Sequence, residues 1–436
     1  MADIRPIDSL EELLKWENRH DIGEEYQVEL INYIKKDGQE VLLCHDMKGG
    51  YLQEETNEGQ VFEKGTNPYI FLNWWQIDIF NYFSHHFVTI PPFEYTRLAH
   101  QHGVLSMGTF ITEWIDGAKI CKQILENEEM VTKVVDGLVN VARYYGFDGW
   151  LINIENEIEP LKIPLLVQFC SLLTSKMREM NANSRVIWYD SVLHSGKLKW
   201  QNALNDKNCD FYNACDGIYL NYNWTDAHLF KSSDFGDISN IFVGIDVWAR
   251  GCVGEFDCYK SFRTLQFLRF SVALFAPGWI CEKFQHENQI KMGIDFWTKL
   301  SPFIKQRKLS SLEFSTDFGT GLTEIDGNKK LFKLSNMNIQ PQCLDKHCYQ
   351  NIGGGLKLIG SNQRFRLFSF DSLPFEQLEV YIKSDHPVKL IINSDIEATK
   401  QGNNFRISAG KLEKLEILTL DHEVTTIDEF RIKHNP

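Results

Sequence analysis

Asn153 and Glu155 stand two residues apart at the end of an apolar segment that follows a Gly-Phe-Asp-Gly turn signal. Residues two apart share a face in a strand, so both side chains point the same way, about 7 Å apart along the backbone. A carboxylate can donate and accept protons, and an amide can hydrogen-bond a substrate. The apolar neighbours favour a barrel strand whose inner face turns polar only at its C-terminal end over a strand end with two solvated groups.

The same design, a short apolar run that ends in polar residues, recurs along the first 280 residues or so. It predicts strands near residues 41–47, 78–85, 104–111, 149–155, 185–191, 217–223, 241–248 and 273–280, of which the second is also readable as a helix. Helical spacing lies between several of them, as in Met130 to Tyr145 and Pro164 to Met180. This alternation predicts an α/β fold, a (β/α)8 TIM barrel, better than it predicts an open sheet.

The pattern changes after Pro302, where short β-rich segments separated by Gly, Asn and Asp replace the helical periodicity. Such segments predict a C-terminal β-sandwich domain. We therefore expect a barrel domain over residues 1–305, which carries the site, and a β-sandwich accessory domain over residues 306–436.

Composition excludes several classes of partner. The chain of 436 residues has 45 Lys and Arg against 59 Asp and Glu, a net charge of −14, without a basic cluster, so we expect no nucleic acid. No apolar run approaches a membrane span of roughly 18 residues, and the N-terminus lacks a signal-peptide pattern. The ten cysteines have no zinc-type spacing, which predicts free, mostly buried thiols, no metal and no cofactor.

Polar and aromatic residues stand where the predicted strands end. They include Glu113, Tyr189, Asn221, Trp224 and Trp248, besides Asp46, His85, Asp190, Asp246 and Arg250. Aromatic residues make up 13% of the chain, and their faces can stack on the apolar faces of sugars. Because no Gly-rich phosphate loop accompanies them, the inventory is typical of a carbohydrate site.

Glycoside hydrolysis normally needs two carboxylates, yet the strongest strand end offers Glu155 beside an amide. An amide cannot attack an anomeric carbon, but it can hydrogen-bond an acetamido group of the substrate. Substrate-assisted glycosidases use that acetamido oxygen as the nucleophile. A single carboxylate then suffices, as acid in the first step and base in the second.

The segment Phe147 to Glu155 resembles the Asp-Gly-x-Asp-x-Asp-x-Glu signature of family 18 chitinases, with Leu151 and Asn153 at two of the aspartate positions. This Asn-x-Glu variant is more similar to glycoside hydrolase family 85, the endo-β-N-acetylglucosaminidases of the cytosol. Further stretches that resemble family 85 are His45 to Tyr51, Tyr82 to His86, Val88 to Pro92, Thr109 to Trp114, Trp188 to Ser191, Ile245 to Gly251 and Phe275 to Trp279.

The resemblance implies cleavage, with retention, of the β-1,4 bond in the N,N'-diacetylchitobiose core of N-glycans. It implies these roles: Glu155 as general acid and base, Asn153 as the group that orients the acetamido group, and Tyr189 as a hydrogen-bond partner of its oxygen. Asn221 and Glu113 are predicted to bind sugar, and Trp200, Trp224 and Trp248 to stack on it. The expected substrates are N-glycans, glycopeptides or free oligosaccharides in the cytosol.

Two alternatives stay open. One is a family 18 chitinase-like hydrolase, against which the residues at positions 151 and 153 argue. The other is an inactive carbohydrate-binding barrel, against which the presence of Glu155 argues. The preferred glycan, the balance between hydrolysis and transglycosylation, the ligand of the C-terminal domain and the oligomeric state are not predicted.

Overall fold

Eight parallel strands form a closed barrel in the first part of the chain. The computed structural model describes residues 2–34, 36–284, 289–351 and 353–435. The barrel strands are β1 (Val41–His45), β2 (Ile79–Tyr82), β3 (Leu105–Glu113), β4 (Gly149–Glu155), β5 (Arg185–Tyr189), β6 (Gly217–Leu220), β7 (Ile241–Asp246) and β8 (Ser271–Phe275). Neighbouring strands pair in parallel, and β8 pairs with β1 to close the barrel. The predicted fold class is confirmed.

Helices pack around the barrel. Those in the described residues are α1 (Leu10–Leu14), α2 (Phe93–Gln101), α3 (Trp114–Ile124), α4 (Glu128–Tyr145), α5 (Ile163–Met180), α6 (Cys209–Ala214), α7 (Asp226–Ser232), α8 (Cys258–Leu268), α9 (Trp279–Lys283) and α10 (Gln289–Leu300). The helices predicted at 130–145 and 164–180 correspond to α4 and α5. Within the described ranges, no helix is long and apolar enough to cross a membrane.

Helix α4 shows how local sequence sets these bounds. Asn127 caps its first turn, because its side chain accepts a hydrogen bond from the backbone N–H of Met130 at 2.9 Å. Gly146 ends the helix in the left-handed region, at φ 69°, which glycine adopts without steric cost. The apolar stripe of the helix is buried against the barrel, including Val131, Val135 and Leu138. The turn after Gly146 then leads the chain directly into β4.

The predicted strand at 273–280 extends too far. Strand β8 occupies residues 271–275, and the backbone of Ala276 then takes a positive φ of 54°. Helix α9 begins at Trp279 and buries that side chain. Since the apolar run continues across the turn, the sequence pattern does not mark the point where the strand ends.

The C-terminal part of the chain forms antiparallel sheets. One sheet contains β9 (Phe314–Thr316), β12 (Cys348–Gln350), β13 (Leu356–Ile359), β14 (Arg364–Ser384), β15 (Val388–Ile392), β16 (Ile396–Glu397), β17 (Thr399–Gln401), β18 (Asn404–Thr419) and β19 (Val424–Asn435). A three-stranded sheet joins β10 (Thr320–Asp326), β11 (Lys329–Met337) and the strand Gln60–Glu63. The C-terminal β domain is confirmed, whereas the division at residue 305 stays a prediction.

One prediction about the cysteines is wrong. Cys343 and Cys348 are joined by a disulfide in the C-terminal domain, although the sequence predicted free thiols throughout. The other eight are free, and Cys44, Cys121, Cys170, Cys258 and Cys281 among them are buried as expected.

A buried ion cluster ties the barrel to the segment that leads into the C-terminal domain. The carboxylate of Asp78, which precedes β2, lies 2.8 Å from the Lys36 ammonium and 2.6 Å from the Arg307 guanidinium. All three side chains are less than a tenth exposed. Asp78 also accepts a hydrogen bond from the backbone N–H of Val41, at the start of β1. Its charge therefore compensates two buried cations at the N-terminal end of the barrel.

We predict that Asp78→Asn destabilises the protein by about 3–5 kcal/mol, because it leaves buried cations without their compensating carboxylate. Urea unfolding followed by tryptophan fluorescence measures the change. Asp371→Asn is the matched control: Asp371 is half exposed and lies 3.9 Å from Lys308, so its loss costs about 1 kcal/mol or less. Equal stability of the two variants would contradict a structural role for the cluster.

Candidate active site

A cavity of 410 Å³ opens at the C-terminal ends of the barrel strands. It brings together five side chains to which the sequence analysis assigned a role: Asn153, Glu155, Tyr189, Trp200 and Asn221. These come from β4, β5 and the segments that follow β5 and β6, although they span nearly 70 positions of the sequence. The closed barrel is what places them around one space.

Strand β4 sets the positions of the amide and the carboxylate. It lies between β3 and β5, and its register places Asn153 beside Ile111 and Glu155 beside Glu113. Leu151, Asn153 and Glu155 all line the cavity, as the strand alternation predicts. Ile152 and Ile154 are fully buried on the opposite face, in the core that lies under the helices. A shift of one residue would bury the polar pair in that core.

Glu155 is held in an environment that favours its protonated form. Burial is the main reason that the pKa of its carboxyl is raised, and the negative charge of Glu113 adds to the effect. Hydrogen bonding from Asn153 and Trp200 lowers the pKa, as does the charge of His85, but these effects are smaller. The balance suits a group that must carry a proton before it reacts.

Asn153 presents an unpaired acceptor to the cavity. Its side chain is 5% exposed, and its Oδ1 atom has no hydrogen-bond partner among the described residues. A buried amide oxygen without a partner is costly, so a ligand N–H that reaches it gains a strong hydrogen bond. The site is therefore suited to a ligand that carries an amide.

Tyr189 contributes a hydroxyl group to the same cavity. Its Oη donates to Asn221 Oδ1 at 3.0 Å, which fixes the ring at the cavity wall. Burial raises the pKa of Tyr189, and the charge of Glu155 raises it further. The phenol therefore stays neutral at physiological pH and keeps its single O–H, which is donated to Asn221 in this structure.

Asp190 holds the loop that carries Trp200. The Asp190 carboxylate is fully buried and accepts hydrogen bonds from the backbone N–H groups of Gln201 at 2.9 Å and Asn202 at 2.7 Å. It also accepts from the Asn208 side chain at 3.0 Å. Burial raises the pKa of Asp190 to about 6 despite these bonds. The sequence showed Asp190 as a strand-end residue, but its role in fixing this loop depends on residues 11 to 18 positions away.

Three predicted sugar-binding residues lie outside the cavity wall. Glu113 contacts the site through His85, whose Nδ1 atom lies 3.0 Å from the Glu113 carboxylate and whose ring lines the cavity. Trp224 packs on the core and donates its indole N–H to the Gly244 carbonyl at 2.8 Å. Trp248 is also partly buried against the core. Sugar contacts by these three residues stay predictions.

The cavity also contains residues to which the sequence assigned no role. Asp46, His85, Asn223 and Arg250 follow strands, so their position was the available signal. Phe275 begins one of the stretches that resemble family 85, whereas Tyr222 gave no signal. Asp246 is fixed by its neighbours, since it accepts hydrogen bonds from the Trp248 N–H and the Arg250 guanidinium. Among the side chains that the structure describes, no group of three His, Cys, Asp or Glu residues could hold a metal ion.

We predict that Glu113→Gln lowers the pKa of Glu155. The substitution removes the negative charge of Glu113, which raises this pKa. It also lowers the pKa of His85, which Glu113 raises, and so reduces the positive charge near Glu155. The charge of His85 has the smaller effect on the pKa of Glu155, so the net change is a decrease. A 13C NMR titration of the Glu155 carboxyl measures the pKa. Asp116→Asn, at a fully exposed carboxylate in α3, should leave it unchanged. An unchanged pKa in Glu113→Gln would contradict a contribution from the Glu113 charge, and a higher pKa would show that the charge of His85 has the larger effect.

Comparisons with known proteins agree with this geometry. The family model "Glycosyl hydrolase family 85" matches residues 51–325. The chain is 40% identical over 375 residues to a cytosolic endo-beta-N-acetylglucosaminidase of Danio rerio, which covers 82% of this chain and 52% of the relative. It is 41% identical over 325 residues to the Homo sapiens protein of the same name, covering 72% of this chain and 43% of the relative. The chain thus spans about half the length of these relatives or less.

A solved structure extends the likeness to the whole fold. The glycoside hydrolase domain of Endo-D from Streptococcus pneumoniae R6 superposes with a TM-score of 0.72 at 17% identity, covering all of this chain and 84% of that one. At this identity the likeness concerns the fold. The match of the family model, together with relatives of about 40% identity, shows that the chain belongs to glycosyl hydrolase family 85.

Proposed function

We propose that this protein is an endo-β-N-acetylglucosaminidase that hydrolyses the β-1,4 bond of the N,N'-diacetylchitobiose core of N-glycans. The observation that carries the proposal is the pairing of Glu155, whose pKa is raised, with an unpaired Asn153 oxygen on the same wall of one cavity. Membership of the family and the names of the relatives support the reaction class and a cytosolic location. The substrates would be N-glycans on peptides or proteins, or free oligosaccharides.

In the first step the 2-acetamido group of the substrate acts as the nucleophile. Asn153 Oδ1 accepts a hydrogen bond from the acetamido N–H and turns the carbonyl oxygen towards the anomeric carbon. The Tyr189 O–H, which donates to Asn221 in the absence of substrate, turns to donate to that oxygen. Glu155 donates its proton to the glycosidic oxygen as the bond to the leaving sugar breaks. The product is an oxazolinium ion, whose positive N–H is stabilised by the Asn153 oxygen.

In the second step water opens the oxazolinium ring. The Glu155 carboxylate removes a proton from the attacking water and returns to its protonated form. Two inversions at the anomeric carbon give retention. The walls contributed by Trp200, Tyr222 and Phe275 are suited to the apolar faces of the sugars.

Asp46 is the carboxylate that could offer a competing mechanism. It lines the same cavity, and burial raises its pKa. The variant Asp46→Asn tests this competing role directly. Asp246, the other aspartate in the wall, is engaged by Arg250 and by backbone N–H groups.

We predict that Glu155→Gln lowers kcat on a high-mannose glycopeptide by at least 10²–10⁴-fold, because the amide cannot donate or remove the proton. Binding of the glycopeptide, measured by calorimetry, should survive within a few-fold, since the side chain keeps its size. Mass spectrometry of the wild-type products should find one N-acetylglucosamine on the peptide. Turnover by Glu155→Gln at the wild-type rate would refute the assignment.

We predict that Asn153→Ala separates the two steps. Hydrolysis of the intact glycopeptide should fall about 10²–10³-fold, because the acetamido group is no longer oriented. A preformed sugar oxazoline should still be hydrolysed at near the wild-type rate, because it enters after that step. Asp46→Asn serves as the comparison and should retain activity on both substrates. Equal loss on both substrates in Asn153→Ala would contradict the role of the amide.

A further inference from the structure

A second groove lies beside the active-site cavity, between helix α3 and the segment that follows β4. It has a volume of 380 Å³. Its walls include the aliphatic side chains of Ile115, Ala118, Leu125 and Ile158, with Lys122 and Glu159 facing each other across it at 3.9 Å. The groove is thus apolar inside and charged at its edge, which is the usual anatomy of a binding surface.

Large apolar side chains are exposed around this groove. Ile115 is 76% exposed and Leu161, between groove residues Glu159 and Lys162, is 91% exposed. Trp114 is 66% exposed next to Ile115, and its φ of 54° is rare for a bulky residue. A group of exposed apolar side chains on the surface of a protein often marks an interaction site.

Close packing and hydrogen bonds fix the walls of the groove. Helix α3 contacts the strand ends so closely that a Cβ atom on Gly117 would lie 2.7 Å from the Thr112 backbone and 2.8 Å from Asn156 Oδ1. On the other wall, the Ile158 N–H donates to the Gly196 carbonyl at 2.9 Å. Lys162 donates to the Glu126 carbonyl at 3.0 Å and joins the two walls. A preformed groove loses little conformational entropy when it binds.

The groove and the cavity are lined by neighbouring residues of the chain, close to Glu155. Glu155 lines the cavity, and two residues later Glu157 lines the groove. Glu113 ends β3, and two residues later Ile115 forms the other wall. Under the proposed function, Glu155 protonates the oxygen that stays with the leaving group. The leaving group, one N-acetylglucosamine with whatever is attached to it, therefore lies on the Glu155 side of the broken bond.

We propose that this groove binds the polypeptide of a glycoprotein substrate, as an unfolded apolar stretch next to the glycosylated asparagine. The proposal rests on the proposed function and adds a specificity site for the protein part of the substrate. Aliphatic side chains of the stretch enter the groove and cover Ile115 and Leu161. Folded glycoproteins bury such stretches, so the groove favours unfolded ones.

The test uses the whole chain of 436 residues and three substrates with the same high-mannose glycan. One is the free oligosaccharide with an intact chitobiose end, one is a glycopeptide with leucine and valine around the asparagine, and one has glycine and serine there. The wild type should show a KM about tenfold lower for the apolar glycopeptide than for the glycine and serine one, with similar kcat. The double variant Ile115→Ser, Leu161→Ser should remove that difference and leave the free oligosaccharide unaffected.

Phe267→Ser is the control, because Phe267 is 85% exposed near the end of α8, away from the groove, and should change none of the KM values. Equal wild-type KM values for the two glycopeptides would overturn the groove proposal. A raised KM for the free oligosaccharide in the double variant would overturn it too, because the groove would then contact sugar. A dimer in sedimentation that the double variant loses would show an interface between copies instead. Failure of the wild type to cleave any substrate would refute the proposed function itself.

Discussion

The structure of the site depends on the register of β4 between its parallel neighbours. That register aligns Asn153 with Ile111 and Glu155 with Glu113. It places Ile152 and Ile154 on the opposite face of the strand, in the core that lies under the helices. Because the side-chain period of a strand is two, the isoleucines and the polar pair cannot exchange faces without burying a carboxylate among helices. The hydrophobic core thus fixes the geometry of the polar site.

The same burial shifts the pKa of Glu155 in the direction that the proposed chemistry requires. Desolvation raises the pKa of Glu155 and keeps the phenol of Tyr189 neutral, so one cavity combines a carboxyl of raised pKa, a hydroxyl and an unpaired amide oxygen. A hydrogen bond from Trp200 lowers the pKa of Glu155 and so opposes part of the rise caused by burial. Asp190 in turn holds the loop that places Trp200. The acid is therefore tuned by a residue that does not line the cavity.

Local hydrophobic periodicity made much of the fold and of the candidate site predictable from the sequence. The features that it missed depend on contacts between distant parts of the chain. The alternation of apolar runs gave the barrel and the C-terminal β domain, and the strand-end positions gave Asn153, Glu155, Tyr189 and Asn221. The sequence could not show where β8 ends, since the apolar run continues into α9. It also could not show that Gln60–Glu63 pairs with β11, more than 260 residues away, because no local pattern encodes such a pairing.

The claim that the substrate supplies its own nucleophile has a direct chemical test. Fluorine atoms on the acetamido methyl group of the cleaved sugar withdraw electrons from the carbonyl oxygen and weaken it as a nucleophile. In a series of chitobiose-core substrates with none, one, two or three fluorines, we predict that kcat/KM of the wild type falls with each fluorine added. A kcat/KM that does not depend on the number of fluorines would contradict substrate assistance and point to a carboxylate of the protein as the nucleophile.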